Sequence, residues 1–237
     1  MSSDTSKAAG SQDPSPASGN PSGNQPGNTE RGALIVVSAP SGAGKSSLAE
    51  RVLKRVDNLQ FSISYTTREP RGAEQHGVDY YFVSENEFES MSERREFLEC
   101  AEVHGHLYGT HEKSVEDVLS DGFDVMLDID VQGAEQIRRR VPDAISIFIL
   151  PPSREILEAR LQARNLNVPA DIERRLRNAG IEVQLYERFD YVIVNDDLDR
   201  ALAQLEAIII AERCRPDRRR NRIESIITTF GGATFHA

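Results

Sequence analysis

Apolar residues in this chain fall into two rhythms. Short, nearly uncharged runs rich in Val, Ile and Leu occur at residues 33–37, 144–150 and 191–194, and a fourth, 124–130, is apolar between carboxylates. Continuous runs of that length predict strands buried on both faces, as in a parallel sheet. Helical spacing lies between them. Leu48, Ala49, Val52, Leu53 and Val56 share one helical face, and a second helix is predicted over 113–119. After Pro151-Pro152, Ser153 can cap a helix that places Ile156, Leu157 and Leu161 on one face. A closing helix over 198–213 carries Leu202, Leu205 and Ile209 in register. Strands alternating with helices predict an α/β fold built on a doubly wound parallel sheet.

Between Asn58 and His111 the rhythm changes. Residues 60–64 and 80–83 read as short strands, 85–95 as a short helix, and the polar stretch 66–74 between the strands holds Arg68 and Arg71. This pattern predicts a small mixed insertion, taken as 61–111, hung on a core domain over 32–213. The first thirty residues hold seven Ser, four Gly and four Pro with no aromatic or branched aliphatic side chain, so residues 1–31 are expected to be a disordered, inert tail. They lack the charged start and apolar centre of a signal peptide. Residues 214–237 form an unpatterned extension behind six arginines between Arg213 and Arg222, a charge run expected to be solvated.

Composition narrows the classes of function. A formal net charge of −10 argues against a nucleic-acid surface as the main task. An anionic ligand would therefore need local arginines. No stretch has the apolar length to span a membrane. Cys100 and Cys214 lie far apart and suit a reducing cytoplasm. Cys100 with His104, His106 and His111 matches no standard zinc-ligand spacing.

The strongest chemical signal follows the first strand: Ser38-Ala39-Pro40-Ser41-Gly42-Ala43-Gly44-Lys45-Ser46-Ser47. Strand, Gly-rich turn, Lys-Ser and helix are the context of a phosphate-binding P-loop. Backbone N–H groups turn inward around a phosphate, and the helix adds its positive dipole end. Lys45 would reach the β- and γ-phosphates and the Ser46 hydroxyl would hold magnesium. Ala39 stands where the pattern's first glycine belongs. The competing reading is a glycine-rich turn that binds nothing. The strand ending in Asp128-Ile129-Asp130 places carboxylates where open parallel sheets bind ligands. There an Asp serves either a magnesium shell or a helix cap.

Several further motifs stand in order: Thr-Thr-Arg-x-Pro-Arg from Thr66, Gly-x-x-Tyr-x-Phe-Val from Gly77, Tyr-Gly-Thr from Tyr108, Asp-Ile-Asp-x-Gln-Gly from Asp128, Phe-Ile-Leu-Pro-Pro-Ser from Phe148 and Ile-Val-Asn-Asp-Asp from Ile193. Together with the P-loop they make the chain, from about Ala33 to Arg213, closely resemble guanylate kinase, a nucleoside monophosphate kinase. The resemblance implies ATP-dependent phosphorylation of GMP, and of dGMP, to the diphosphate in purine nucleotide metabolism. It implies Arg68, Arg71, Tyr80 and Tyr108 on the GMP phosphate, and Ser64, Glu99, Thr110 and Asp130 on guanine. It places ATP on Ser41, Gly42, Ala43, Gly44, Lys45, Ser46 and Ser47, with Asn195 near adenine and magnesium at Ser46 and Asp128. A lid over 160–187 would carry Arg160, Arg164 and Arg175. Lys45, Arg68, Arg164 and Arg175 are the implied catalytic set. Two departures are present: Gly72-Ala73 reverses the usual order before Glu74, and Asn165 follows the lid arginine in place of Gly.

The chemistry supports this independently. A phosphate monoester loses its second proton near pH ~6, so the GMP acceptor oxygen is already anionic and needs no general base. The difficulty is repulsion between two polyanions, which calls for arginines, Lys45 and magnesium around an in-line transfer. Guanine offers N1–H and 2-amino donors on one edge, matching the two oxygens of one carboxylate, Glu99. Two other readings compete: a non-catalytic module that uses the same pocket for a protein partner, and a kinase for another monophosphate. The first would be expected to lack Lys45, Ser46, Arg164 or Arg175, all of which are present. The sequence does not choose between a monomer and a homo-oligomer.

Overall fold

A computed structural model of the chain describes residues 30–103, 105–163 and 169–231. The tail before Glu30, His104, and the lid residues Arg164 and Asn165 lie outside them.

Five parallel strands form the main sheet: β1 (Leu34–Ser38), β2 (Leu59–Phe61), β7 (Asp124–Asp128), β8 (Ile145–Leu150) and β9 (Tyr191–Val194), in the order β2-β7-β1-β8-β9. β1 is central and fully buried, which explains its unbroken apolar run. Ile35 and Val37 face one layer with α1 (Lys45–Leu53) and α7 (Leu198–Arg213), through Leu48, Val52, Leu202, Leu205 and Ile209. Leu34 and Val36 face the other, with α3 (Glu112–Ser120) and α4 (Val131–Arg140), through Val115, Leu119 and Ile137. Alternate side chains of one strand thus fill two hydrophobic layers.

The second sheet, β4-β3-β6-β5, comprises β3 (Tyr65–Thr66), β4 (Tyr81–Phe82), β5 (Phe97–Val103) and β6 (His106–His111). It is backed by α2 (Glu85–Glu93), whose Phe88 stacks on Phe97. Phe61, placed by sequence at the start of the insertion, instead pairs with β7 at the edge of the main sheet together with Leu59 and Gln60. Their short run cannot by itself say which sheet it joins. α4 ties the two sheets together. Gln136 makes two hydrogen bonds to the backbone of Cys100, and Arg140 donates to the carbonyls of Phe97 and Leu98.

The segment expected to act as a lid falls on α5 (Arg154–Ala163) and α6 (Pro169–Glu182), continued by a 3₁₀ segment, Val183–Arg188. Ser153 caps α5, its Oγ accepting from the N–H of Ile156. Leu157 and Leu161 are buried against Leu176 and Ala179 of α6, whereas Ile156 faces outward, 44 % exposed. The expected three-residue face narrows to two because only α6 and the P-loop lie on that side of α5.

The extension expected to be unpatterned is helical. A 3₁₀ turn, Pro216–Arg219, leads into α8 (Arg220–Thr229). Its arginines are only partly solvated: Arg213 Nε donates to Asp124 at 2.6 Å and its NH2 to the Asp57 carbonyl. Asp124 is buried, and its other oxygen accepts the N–H of Ala33 at 2.7 Å. One carboxylate therefore joins the starts of β1 and β7 to the end of α7. Asp124→Ala leaves Arg213 and the Ala33 N–H without their acceptor, and is expected to cost about 3 kcal/mol. Urea unfolding at pH 7 measures this; a loss below about 1 kcal/mol would show that water replaces the carboxylate.

Candidate active site

The carboxyl ends of β1, β7 and β9 converge with the open face of the second sheet. From β1 the chain turns through Ser41, Gly42 and Ala43 into Gly44, the residue before α1, with φ of 93° at Gly42 and 101° at Gly44. These left-handed values let successive N–H groups face one point. A Cβ on Gly44 would also lie 2.3 Å from Asn195 Nδ2. Lys45, Ser46 and Ser47 open α1, with both serines exposed.

Asn195, expected beside adenine, is buried behind this loop. Its Nδ2 donates to the Ala43 carbonyl at 2.8 Å. Arg160 donates to the same carbonyl at 3.3 Å and to the Asn195 carbonyl at 2.9 Å. Arg175 donates to Ser41 Oγ at 3.3 Å while Asp171 holds its Nε. Two lid arginines therefore rest on the loop, and Arg164 lies outside the described residues.

Asp128 and Asp130 divide the two roles an Asp at this strand end can have. Asp128 forms an ion pair with Lys45, and Ser46 Oγ lies 3.4 Å from its other oxygen. Lys45 also donates to the Ile129 carbonyl at 2.8 Å. Asp130 caps α4, accepting from Gly133 N at 2.9 Å, with Gln132 on its second oxygen. Ser46 and Asp128 present only oxygen donors, the set a hard cation such as magnesium takes alongside substrate phosphates and water.

The second sheet supplies the facing wall. Ser64 precedes β3; Arg68, Arg71 and Tyr80 lie between β3 and β4; Glu99 is on β5; Tyr108 and Thr110 are on β6. Arg68 is buried, and four of its five N–H bonds are committed: two to Glu74, one to the Glu69 carbonyl and one to the Tyr108 hydroxyl. The Glu74 pair raises the Arg68 guanidinium further and holds the Glu74 carboxyl low. Arg68 also lies over the Tyr80 ring, 5.2 Å from its centroid. Burial, then the charge of Asp128, raises the Tyr80 phenol, so this wall faces the P-loop carboxylate. Arg71 is exposed, and its backbone N–H is held by Glu74.

Glu99 is the electrostatic outlier. It is 4 % exposed and forms no ion pair among the described residues. Thr110 donates to Oε1 at 2.6 Å. Oε2 lies against α4, 2.4 Å from where a Cβ on Gly133 would stand. Burial lifts its carboxyl to about 7, with the Asp130 charge adding and Thr110 and Lys45 opposing. An irregularity in the β5–β6 register between Phe97 and Glu99 breaks simple alternation. Phe97 fills the small core, Leu98 the main one, and Glu99 the site.

Several contributors were not singled out from sequence. Gly133 sat inside a motif, and Glu74 was named only as the residue after the Gly72-Ala73 departure, neither with an assigned role. Glu182, at the end of α6, left no periodic or motif signal. Its carboxyl is raised by burial and then by Asp130, with Lys45 opposing, so the lid brings a further acid to this pocket.

Comparison with known proteins gives one answer. The family model for guanylate kinase matches residues 31–212. A guanylate kinase from Koribacter versatilis is 52 % identical over 187 residues, covering 78 % of this chain and 80 % of the relative. One from Escherichia coli K12 is 50 % identical over 200 residues, covering 84 % and 97 %. The crystal structure of guanylate kinase from Anaplasma phagocytophilum superposes with a TM-score of 0.72 at 34 % identity, covering 87 % of this chain and 99 % of that one. With the P-loop and the buried carboxylate opposite it standing inside the matched span, the chain belongs to the guanylate kinase family.

Proposed function

We propose that this enzyme transfers the γ-phosphoryl group of ATP to GMP, and to dGMP, by in-line displacement. The observation that carries the reading is Glu99: a buried carboxylate without a cationic partner, opposite a phosphate-binding loop. Its two oxygens match the N1–H and 2-amino donors of guanine, and Thr110 and Asp130 stand beside it. Adenine presents no such donor pair. The contacts assigned to GMP use its base and phosphate, so loss of the 2′-hydroxyl is tolerated. The acceptor phosphate lies near Arg68, Arg71, Tyr80 and Tyr108, and Arg68 keeps one N–H for it. Arg160, Arg175 and Lys45 serve the donor side, with Arg164 as a further lid cation. No base is required, because the acceptor oxygen is already ionised at neutral pH.

Ser46 and Asp128 would hold magnesium, which would supply positive charge to offset that of the donor phosphates. Lys45 would then move from Asp128 toward the β- and γ-phosphates. Lid and insertion exclude water, which would otherwise divert the phosphoryl group to hydrolysis. No helix among the described residues is long and apolar enough to cross a membrane. A cytoplasmic place, where ATP and GMP are available, fits the reading. Nothing in it assigns a function to the tail.

A panel of nucleoside monophosphates with ATP and magnesium tests the assignment. GMP and dGMP should be turned over and AMP, CMP and UMP should not. Equal use of AMP would overturn it.

Glu99→Gln separates recognition from stability. The variant keeps shape but sets an NH₂ donor against guanine's donors. Loss of one partner of a buried charge-assisted contact costs about 2–5 kcal/mol, so kcat/KM for GMP should fall about a hundredfold with KM for ATP unchanged. Stability should move the opposite way. Because the folded carboxyl titrates at about 7 against a reference of 4.5, the folded state holds a proton that the unfolded state releases between those values. Stability is therefore lost as pH rises through that window, to about 3 kcal/mol by pH 8. The variant should melt higher than the parent at pH 8 and gain nothing near pH 4.5. A lower melting temperature at pH 8 would count against a strained carboxylate.

The same group sets a pH dependence for substrate. GMP needs the ionised form, so KM for GMP should rise about tenfold between pH 8 and pH 6 beyond the rise in Glu99→Gln, which retains the substrate's own phosphate titration. Parallel profiles in the two proteins would exclude Glu99 as the titrating group.

A further inference from the structure

The reaction occupies the carboxyl ends of the strands, but the amino ends hold a second concavity. A cleft of about 430 Å³ lies where β1, β2 and β7 begin, closed on one side by the chain after α7. Arg31, Arg213, Arg218, Arg219 and Arg222 line it against two lining carboxylates, Glu30 and Asp124. Five cations stand against those two anions and Glu116, which pairs with Arg31, leaving an excess of two positive charges in a chain whose net charge is −10.

Two of these arginines are neutralised: Arg213 by Asp124, and Arg31 by Glu116. The other three form no ion pair among the described residues. Arg218 donates to the Asp143 carbonyl, and its Nε is buried with no acceptor. Arg219 donates to the Arg213 carbonyl and to Cys214 Sγ. Arg222 is tied through its backbone N–H to Glu30, and its guanidinium has no acceptor among the described residues. Three like charges held around one cleft repel each other unless an anion joins them, and guanidinium forks suit phosphate oxygens. The volume falls within the range of small-ligand sites.

We propose that this cleft is a second, non-catalytic binding site for a compound carrying a di- or triphosphate group. It is one concavity on a strongly acidic molecule rather than a basic stripe, which favours a small polyphosphate over nucleic acid. The strands run between it and the P-loop, roughly 16 Å for five residues, so the two sites do not share residues.

The test is calorimetric titration of inorganic pyrophosphate into the full-length protein, with the active site saturated by a bisubstrate analogue joining adenosine and guanosine. One equivalent should bind with sub-millimolar affinity at physiological salt. The double variant Arg219→Ala/Arg222→Ala removes two exposed guanidinium groups outside the catalytic machinery. It should weaken binding at least tenfold while leaving melting temperature and kcat for GMP unchanged. A parallel titration with GDP identifies the source. Tenfold tighter binding than pyrophosphate assigns the site to a nucleotide's phosphate tail, and equal binding assigns it to inorganic polyphosphate. No second binding event, equal affinity in the double variant, or tighter binding of a single-stranded oligonucleotide that the same variant abolishes would each overturn the proposal.

Discussion

A loop that turns its N–H groups toward a phosphate must send carbonyls the other way, and those need donors. In this enzyme the Ala43 carbonyl receives Asn195 Nδ2 and Arg160 together. Asn195 ends the run that includes β9, and Arg160 sits on the lid helix α5. The inward turn of the loop is therefore secured by an edge strand and a lid element at once. Close approach of Asn195 leaves no room for a side chain at Gly44, so the glycine serves packing as well as backbone conformation.

Charge is handled differently on the two sides of the cleft. On the phosphate side, three cations are each held by a carboxylate, Lys45 by Asp128, Arg68 by Glu74 and Arg175 by Asp171, while Arg160 is held by carbonyls. Cations held this way keep their geometry without gathering unopposed positive charge. Across from that side, Glu99 has a hydroxyl partner but no cation among the described residues. Pairing it with an arginine would stabilise the empty protein and, on the proposed reading, would also occupy the oxygens left for guanine. The raised carboxyl is what the proposed reading expects of a binding group kept open at the expense of stability.

Much of this was legible in the residues. The unbroken apolar runs at β1 and β8 identified buried strands, because a strand covered on both faces has no polar side to interrupt it; the run at β9 marked a strand but not its burial, since at the sheet edge Val192 and Val194 stay exposed. The P-loop was legible because its glycines, lysine and serine act through local backbone geometry and stand next to one another in the chain. The span of α7 and its buried Leu202, Leu205 and Ile209 followed from helical spacing alone. The ordered motifs pointed to the guanylate kinase family, and the matches over residues 31–212 agree.

Tertiary structure decided what depended on contacts between distant segments. Sequence could not send Leu59–Phe61 to the main sheet, because a three-residue strand carries no mark of its partner. The resemblance set Asp128 at magnesium and Asp130 at guanine, but residue chemistry did not show which of the two identical side chains caps a helix. Packing against α1 and capping of α4 drew them apart. Sequence treated the arginines after α7 as a solvated run, whereas Arg213 finds a buried carboxylate 89 residues away. Nor could it foresee that Phe97, Leu98 and Glu99 fill three different environments, since that follows from a register irregularity against β6. Local chemistry is written in neighbouring residues and can be read there; the surroundings that decide which charge is buried, paired or left open exist only once the chain has folded.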